Sequence, residues 1–492
     1  MTRSILLGTL AAVMFEPLAV RCAPAQVPNA SYSDAFELRR DRHQPVLFYT
    51  VRVNPTELSG FDVRLDIRNA PDTLKISIPV WAPGAYRVAN FYQNIRGFTV
   101  SSRGRDVTLA HDDSSSWRAI IQGGEAVVRY RIAFLSAKVA RAPNNRTFLT
   151  ETGGLIDGPA TYVYLDDAKL APAHVRFDLP DGWSIATGLE RTSDSRTFIA
   201  PSYDVLIDSP VLIGRFHDWS FQVDGIPHRV AFWTRPNAPR FDSTSFVSAL
   251  QRIVATSRDI MGSLPYRDYT FLYVDGPFGG LEHLNSTTIG TSSSDLARDP
   301  LAHASVSAHE FFHLWNVKRV RPIALGPFDY QHPVRTTELW WSEGVTDFFA
   351  TEILRRAGLQ TEEQSRRLLS DNIREYRDNP AHTRISPERS SWSEWDSPRV
   401  NGGYSISYYL QGALLGELLE AQIRRATTNA RGMDDVERLL YDRFAGARGF
   451  TKDDLLATVN EVCGCDLRDF FARHVSGSDP IDFDRYLPSA KP

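Results

Sequence analysis

The strongest constraint on this chain is the run Ser307-Ala308-His309-Glu310-Phe311-Phe312-His313-Leu314-Trp315-Asn316, which contains His-Glu-x-x-His. On a helix, His309 and His313 stand one turn apart and direct their imidazoles to one face. Two neutral imidazoles on one face supply half of a tetrahedral zinc site, and Glu310 beside them is placed to activate a water at the metal. A helix with two surface histidines and a solvated glutamate would carry the same three residues. The neighbouring sequence therefore has to supply a third ligand and the groups that bind substrate.

Glu343, within Glu338-Leu339-Trp340-Trp341-Ser342-Glu343-Gly344-Val345-Thr346-Asp347-Phe348-Phe349, is the candidate third ligand. Gly344 removes a side chain close to the metal. Asp347 falls one helical turn beyond Glu343, where it can accept the other N–H of a ligating histidine and fix that ring's tautomer. One zinc ion held by His309, His313 and Glu343 keeps a fourth position open. His283, His303 and His332 are left out of the ligand set, because a fourth protein ligand would close that position. Lys318, Arg319 and Arg321 could bind a peptide carboxylate, although cations at the end of a helix need no such role.

With 492 residues, 42% of them hydrophobic and 23% charged, the chain can build two or three domains with substantial cores. A formal charge of -4 gives no reason to expect nucleic acid or an anionic membrane as partner. Residues 1–25 carry Arg3, a short apolar run and Ala23-Pro24-Ala25, the pattern of a secretory signal peptide, and point to a secreted, periplasmic protein. No later stretch has the length and apolarity of a membrane-spanning helix, so stable membrane insertion is not expected. Cys463 and Cys465, one glycine apart, could close a small ring or remain thiols; three cysteines make no disulfide framework.

Residues 26–217 read as an N-terminal antiparallel β domain, with short alternating runs such as Phe61-Asp62-Val63-Arg64-Leu65-Asp66-Ile67 separated by turn formers. Residues 218–492 begin with a few strands and then turn helical. Asp242 is expected to cap a helix reaching about Met261. A second helix is expected from Asp299-Pro300 through the motif to Arg321-Pro322, and others at 336–357, 361–377, 404–425, 432–444, 452–461 and 466–475. The fold class is α+β multidomain.

Glu343-x-x-x-Asp347 after His-Glu-x-x-His resembles thermolysin-like zinc peptidases, the gluzincins. The 29 residues between His313 and Glu343 are more than thermolysin's closest relatives have, which an insertion at 321–335 would explain. The extended run from His309 to Pro322 and the segment Pro79-Val80-Trp81-Ala82-Pro83-Gly84-Ala85-Tyr86 resemble the glycyl aminopeptidase family. Gly279-Gly280-Leu281-Glu282-His283 is similar to the substrate-binding edge strand of the broader zinc aminopeptidases. The resemblance implies a thermolysin-like catalytic domain with a helical C-terminal lobe, one zinc ion and a peptide substrate. It also implies that Gly279 and Gly280 let the substrate backbone approach while Glu282 binds its free amine. In Gly403-Tyr404-Ser405-Ile406-Ser407-Tyr408-Tyr409-Leu410-Gln411-Gly412 it makes Tyr409 the phenol that stabilises the oxyanion, with Tyr404 a second candidate and Tyr408 ordinary packing. Gln411 stands where the family has lysine. A PDZ domain commonly follows in the family, and residues 478–492 leave no room for one. The expected activity is removal of small N-terminal residues, glycine or alanine. The alternatives are an endopeptidase of the same fold and a peptide- or glycan-binding protein with a vestigial metal site.

Overall fold

The computed structural model describes residues 44–122, 124–134, 146–276, 279–446 and 448–487, so the expected leader at 1–25 lies outside the described residues. Along Val46–Arg52 and Gly60–Ala70 buried and open positions largely alternate, the period of a strand with one face on a core. Both lie inside an eight-stranded sheet. Its order is Glu190–Arg191, Thr197–Ala200, Ala173–Asp178, Val46–Arg52, Gly60–Ala70, Gly124–Ala133, Ile95–Ser102 and Arg105–Asp106. Two four-stranded sheets complete the β domain. One pair departs from the antiparallel expectation, since Val46–Arg52 runs parallel to Ala173–Asp178. Parallel neighbours need a long crossover, and most of the domain lies between these two strands.

The second half opens on a five-stranded sheet ordered His217–Val223, Ile226–Trp233, Tyr269–Asp275, Ser286–Thr291 and Gly280–Glu282. The three-residue strand Gly280–Glu282 forms one edge, pairing antiparallel with Ser286–Thr291. As expected, Asp242 caps the helix Ser243–Met261 by accepting from the Ser245 N–H at 3.0 Å. Beyond it, helices pack around a core that includes Phe311, Trp315, Trp341, Phe349 and Leu418.

Three helical expectations change. The motif helix is Ala304–Phe312 rather than 299–321. Asp299 ends the preceding helix Ser293–Arg298 and turns the chain, its carboxylate accepting from the Leu301 N–H at 2.8 Å. The helix expected over 336–357 begins as a π-helical turn, Trp340–Val345, before Thr346–Arg356 continues as α-helix. The helix expected from 404 starts at Tyr408, because the Ser407 hydroxyl caps the Tyr409 N–H at 3.2 Å. Cys463 and Cys465 form a disulfide.

The long gap between His313 and Glu343 is a strap onto the β domain. Tyr330 is buried in the β-domain core and its hydroxyl donates to Asp204. The Val80 N–H donates to the Tyr330 carbonyl at 2.9 Å, and Trp81 Nε1 donates to the Asp329 carbonyl at 2.7 Å. Gln331 Nε2 reaches the Ile78 carbonyl at 2.9 Å. A further tie joins Lys318 to Asp208 at 2.7 Å, and Asp208 accepts from the Leu284 N–H at 2.8 Å, just past the edge strand. These contacts tie the strap and the end of the edge strand to the β domain.

Candidate active site

His309 and His313 project from the motif helix as the 3.6-residue period requires, and their Nε2 atoms lie 2.9 Å apart. Glu343 Oε2 stands 3.5 Å from the first and 3.2 Å from the second. Both Nδ1 atoms are engaged elsewhere: His313 Nδ1 lies 2.6 Å from the Asn316 carbonyl, and His309 Nδ1 lies 2.7 Å from Asp347 Oδ1. An imidazole donating through Nδ1 presents a bare lone pair at Nε2. Two lone pairs facing each other at this range repel unless a proton or a cation lies between them. Donors about 2.0–2.2 Å from a tetrahedral zinc stand roughly 3.3 Å apart, so the three atoms fit that ion.

The third ligand is held by packing. Asn316 Nδ2 donates to the Trp341 carbonyl at 3.0 Å and to Thr346 Oγ1 at 3.2 Å, fastening the end of the motif run to both sides of Glu343. Gly344 has a different role from the one expected. A Cβ there would come within 2.5 Å of Gly412 Cα and 2.7 Å of the Tyr408 and Tyr409 carbonyls. Its bare backbone lets the π-turn cross the helix Tyr408–Ala426, which sets Glu343 against Tyr409. Single π-turns of this kind collect at functional sites.

The charges divide the carboxylates. Burial opposes ionisation of Glu343, but the His313 and His309 rings overcome it and hold the carboxyl well below its usual range. Burial also opposes charge on His309, which the Asp347 and Glu343 carboxylates outweigh, raising it well above its usual value. Glu310 lacks such a partner. Burial pushes its carboxyl up to about 7, only partly offset by the two histidines, and its Oε2 is buried without a hydrogen-bond partner among the described residues.

Across the cleft, the edge strand lies against Glu310. A Cβ on Gly280 would overlap the Glu310 carboxylate, whereas a Cβ on Gly279 would meet no protein atom within 4 Å. The Gly280 carbonyl accepts from Arg146 Nη2 at 2.7 Å. Glu282 is buried, and its carboxylate, that of Glu310 and a His313 ring nitrogen all lie within 4.8 Å of one another. Tyr409 packs its ring over His309, with centroids 6.0 Å apart. Burial, with the charge of Glu343, raises its phenol well above the usual value.

Other expected residues lie elsewhere. The Tyr404 ring sits under the Arg384 guanidinium at 4.4 Å, and none of its described contacts is with the His/Glu cluster. Gln411 is buried, donating to the Ile385 carbonyl at 2.9 Å. Tyr408 packs on Tyr409, and its phenol is pushed up by burial and by Glu343, so it too borders the cleft.

Sequence reasoning assigned no role to Gly84 and Tyr86, although it singled out their segment. Gly84 lies so close to Glu282 that a Cβ would come within 2.7 Å of Oε1. Tyr86, 7% exposed, belongs to the core of the second half although it comes from the first. Burial and the Glu343 and Glu282 charges raise its phenol.

Residues 48–215 match the Peptidase M61 N-terminal domain, and residues 302–415 match M61 glycyl aminopeptidase. Among solved structures, the chain resembles an aminopeptidase N family protein from Idiomarina loihiensis, with 25% identity and a TM-score of 0.83 over 90% of this chain and 78% of that one. An M1 zinc metallopeptidase from Deinococcus radiodurans shares 15% identity and a TM-score of 0.53 over 86% of this chain and 90% of its own. Yeast LTA4 hydrolase in complex with Bestatin shares 14% and 0.52, over 92% and 71%. At those two identities the likeness is one of fold. No curated protein matches. The two M61 matches follow in chain order and together span more than half of the chain, with the His/Glu cluster reaching into the second; this chain belongs to the M61 glycyl aminopeptidase family of zinc peptidases.

Proposed function

We propose that the protein is a one-zinc aminopeptidase that removes small N-terminal residues, glycine or alanine, from peptides. The observation that carries this reading is the overlap of two clusters at His313: His309, His313 and Glu343 on one side, Glu282, Glu310 and His313 on the other. Bound by His309, His313 and Glu343, zinc would supply Lewis acidity for the scissile carbonyl and lower the pKa of a nucleophilic water. Glu310, unpaired and buried beside that site, takes the proton from the attacking water and passes it to the leaving amine. Glu282 receives the substrate's α-ammonium through charge-assisted hydrogen bonds and so measures one residue from the chain end. The Gly280 backbone pairs with the substrate as an added strand, and Tyr409 donates to the developing oxyanion. Tyr404, engaged by Arg384, has no part in this assignment.

The reading includes action outside the cytoplasm, supported by the leader-like residues 1–25 and the Cys463–Cys465 disulfide. No helix among the described residues is long and apolar enough to cross a membrane. The test is hydrolysis of Gly- and Ala-anilides by wild type and Glu310→Gln, with zinc content measured in both. The expected result is a kcat roughly 10²–10⁴-fold lower in the variant with zinc retained, and no cleavage of N-acetylated peptides by either. Equal rates with equal zinc sink the mechanism, and cleavage of acetylated peptides sinks the aminopeptidase assignment.

A further inference from the structure

Glu282 borders a second space besides the metal cluster. A cavity of about 20 Å³ is lined by Trp81, Tyr86, Glu282, Arg321 and Phe328 among others, and by none of the proposed metal ligands. That volume is close to what one water molecule needs. If Glu282 holds the α-ammonium, the substrate's Cα is about 1.5 Å from that nitrogen. The carbonyl of the same residue must turn toward the histidines, and this cavity adjoins Glu282 as a space for the residue's side chain.

The walls are fixed from several directions. Trp81 is fully buried, tied through Nε1 to the Asp329 carbonyl and packed edge-on to Trp395 with centroids 5.4 Å apart. Tyr86 meets the same Trp395 at 6.2 Å. Phe328, half-buried on the strap, packs edge-on to Trp81 at 6.3 Å and lies under the Arg321 guanidinium at 5.1 Å. Arg321 is itself pressed on the Gly326 backbone, where a Cβ would come within 2.6 Å of Nε. The strap that lengthens the gap between the two halves of the metal motif thus delivers one part of the wall, and the β-domain segment at 79–86 delivers another.

We infer that Phe328, braced between Trp81 and Arg321, determines specificity by closing the space for the N-terminal side chain to the size of a hydrogen or a methyl group. This rests on the aminopeptidase reading above and assigns its size limit to a contact between domains. A rigid aromatic wall cannot retreat for a leucine side chain without breaking the Trp81 and Arg321 contacts.

The experiment compares kcat/KM for Gly-, Ala-, Leu- and Glu-anilides in wild type, Phe328→Ala and the milder Phe328→Leu, together with inhibition constants for glycine amide and leucine amide. Each Leu:Gly ratio is internal to one preparation, so partial loss of folded protein cancels. In wild type, Gly and Ala should exceed Leu. The Leu:Gly ratio should rise roughly 10-fold or more in Phe328→Ala and by less in Phe328→Leu, with leucine amide binding tightening in parallel. An unchanged ratio in both variants overturns the inference while leaving the aminopeptidase reading intact. A wild-type preference for Glu-anilide also overturns it, since Arg321 would then be a receptor rather than part of a wall. Failure of zinc-loaded wild type on every anilide overturns the aminopeptidase reading and the inference together.

Discussion

On the metal side of the cleft, His309, His313, Glu343 and Asp347 come from two helical segments, and pairs four residues apart set most of the geometry. On the amine side, Glu282 and Gly280 sit on a three-residue edge strand, while Gly84 and Tyr86 reach in from the other domain. The first wall is held by helical period and local bonds such as that from Asn316 to Trp341. The second is held by the strap, through Tyr330 in the β-domain core and Trp81 on the Asp329 carbonyl. On the proposed assignment, chemistry is built locally and substrate selection between domains, so each should be separable by mutation.

The largest effect should come from pairing Glu343→Ala with Glu282→Gln. The first should lose stoichiometric zinc and at least about 10³-fold in kcat/KM, because it removes a ligand. The second should keep its zinc and lose roughly 10²-fold, because only the partner of the ammonium is neutralised. Metal analysis alongside kinetics decides it; zinc loss in Glu282→Gln would mean that the two walls form one unit.

A second test probes what supports the metal side from behind. Glu437 is fully buried on Met433–Phe444 beside Trp341 of the π-turn, and burial pushes its carboxyl up to about 8 from 4.5. The folded state therefore keeps a proton that the unfolded chain releases above pH 4.5. Stability falls as pH rises from there toward 8, and it is fully present below 4.5. Glu437→Gln holds no such proton, so its stability relative to wild type should rise by about 3 kcal/mol between pH 5 and pH 8. Denaturant midpoints at the two pH values measure this, and parallel pH dependence in the two proteins would refute it.

The smallest effect belongs to Asp347→Asn, which weakens the group orienting His309 without removing a ligand. Zinc affinity should drop roughly 10–100-fold in chelator competition, with the fold intact. An unchanged affinity would mean that the motif helix alone orients the ring.

Much of the metal side was legible in the chain, and the reasons differ by residue. His309 and His313 are related by one helical turn, so their shared face follows from period alone. Glu343 and Asp347 were located by type and spacing, but the π-turn that aims Glu343 was not, because it depends on Gly344 meeting Gly412 from a distant helix. Gly280 was singled out but its contact with Glu310 was not, because the Glu310 side chain it accommodates reaches it across the cleft. The motif helix was read as too long, because the turn at Asp299 and the bond from His313 to the Asn316 carbonyl are short-range events that hydrophobic period does not register.

By itself, then, the sequence determined the His/Glu residues proposed as the ligand set, the β-then-helical order of the domains and the family. Each is expressed through near neighbours or through motifs whose order survives folding. Only the tertiary structure decided that the 321–335 segment is a strap, that Tyr86 serves the core of the other domain, and that Phe328 packs on Trp81 beside a space the size of one water. Those outcomes depend on which distant surfaces pack together, and side-chain packing between domains leaves no periodic trace along the chain.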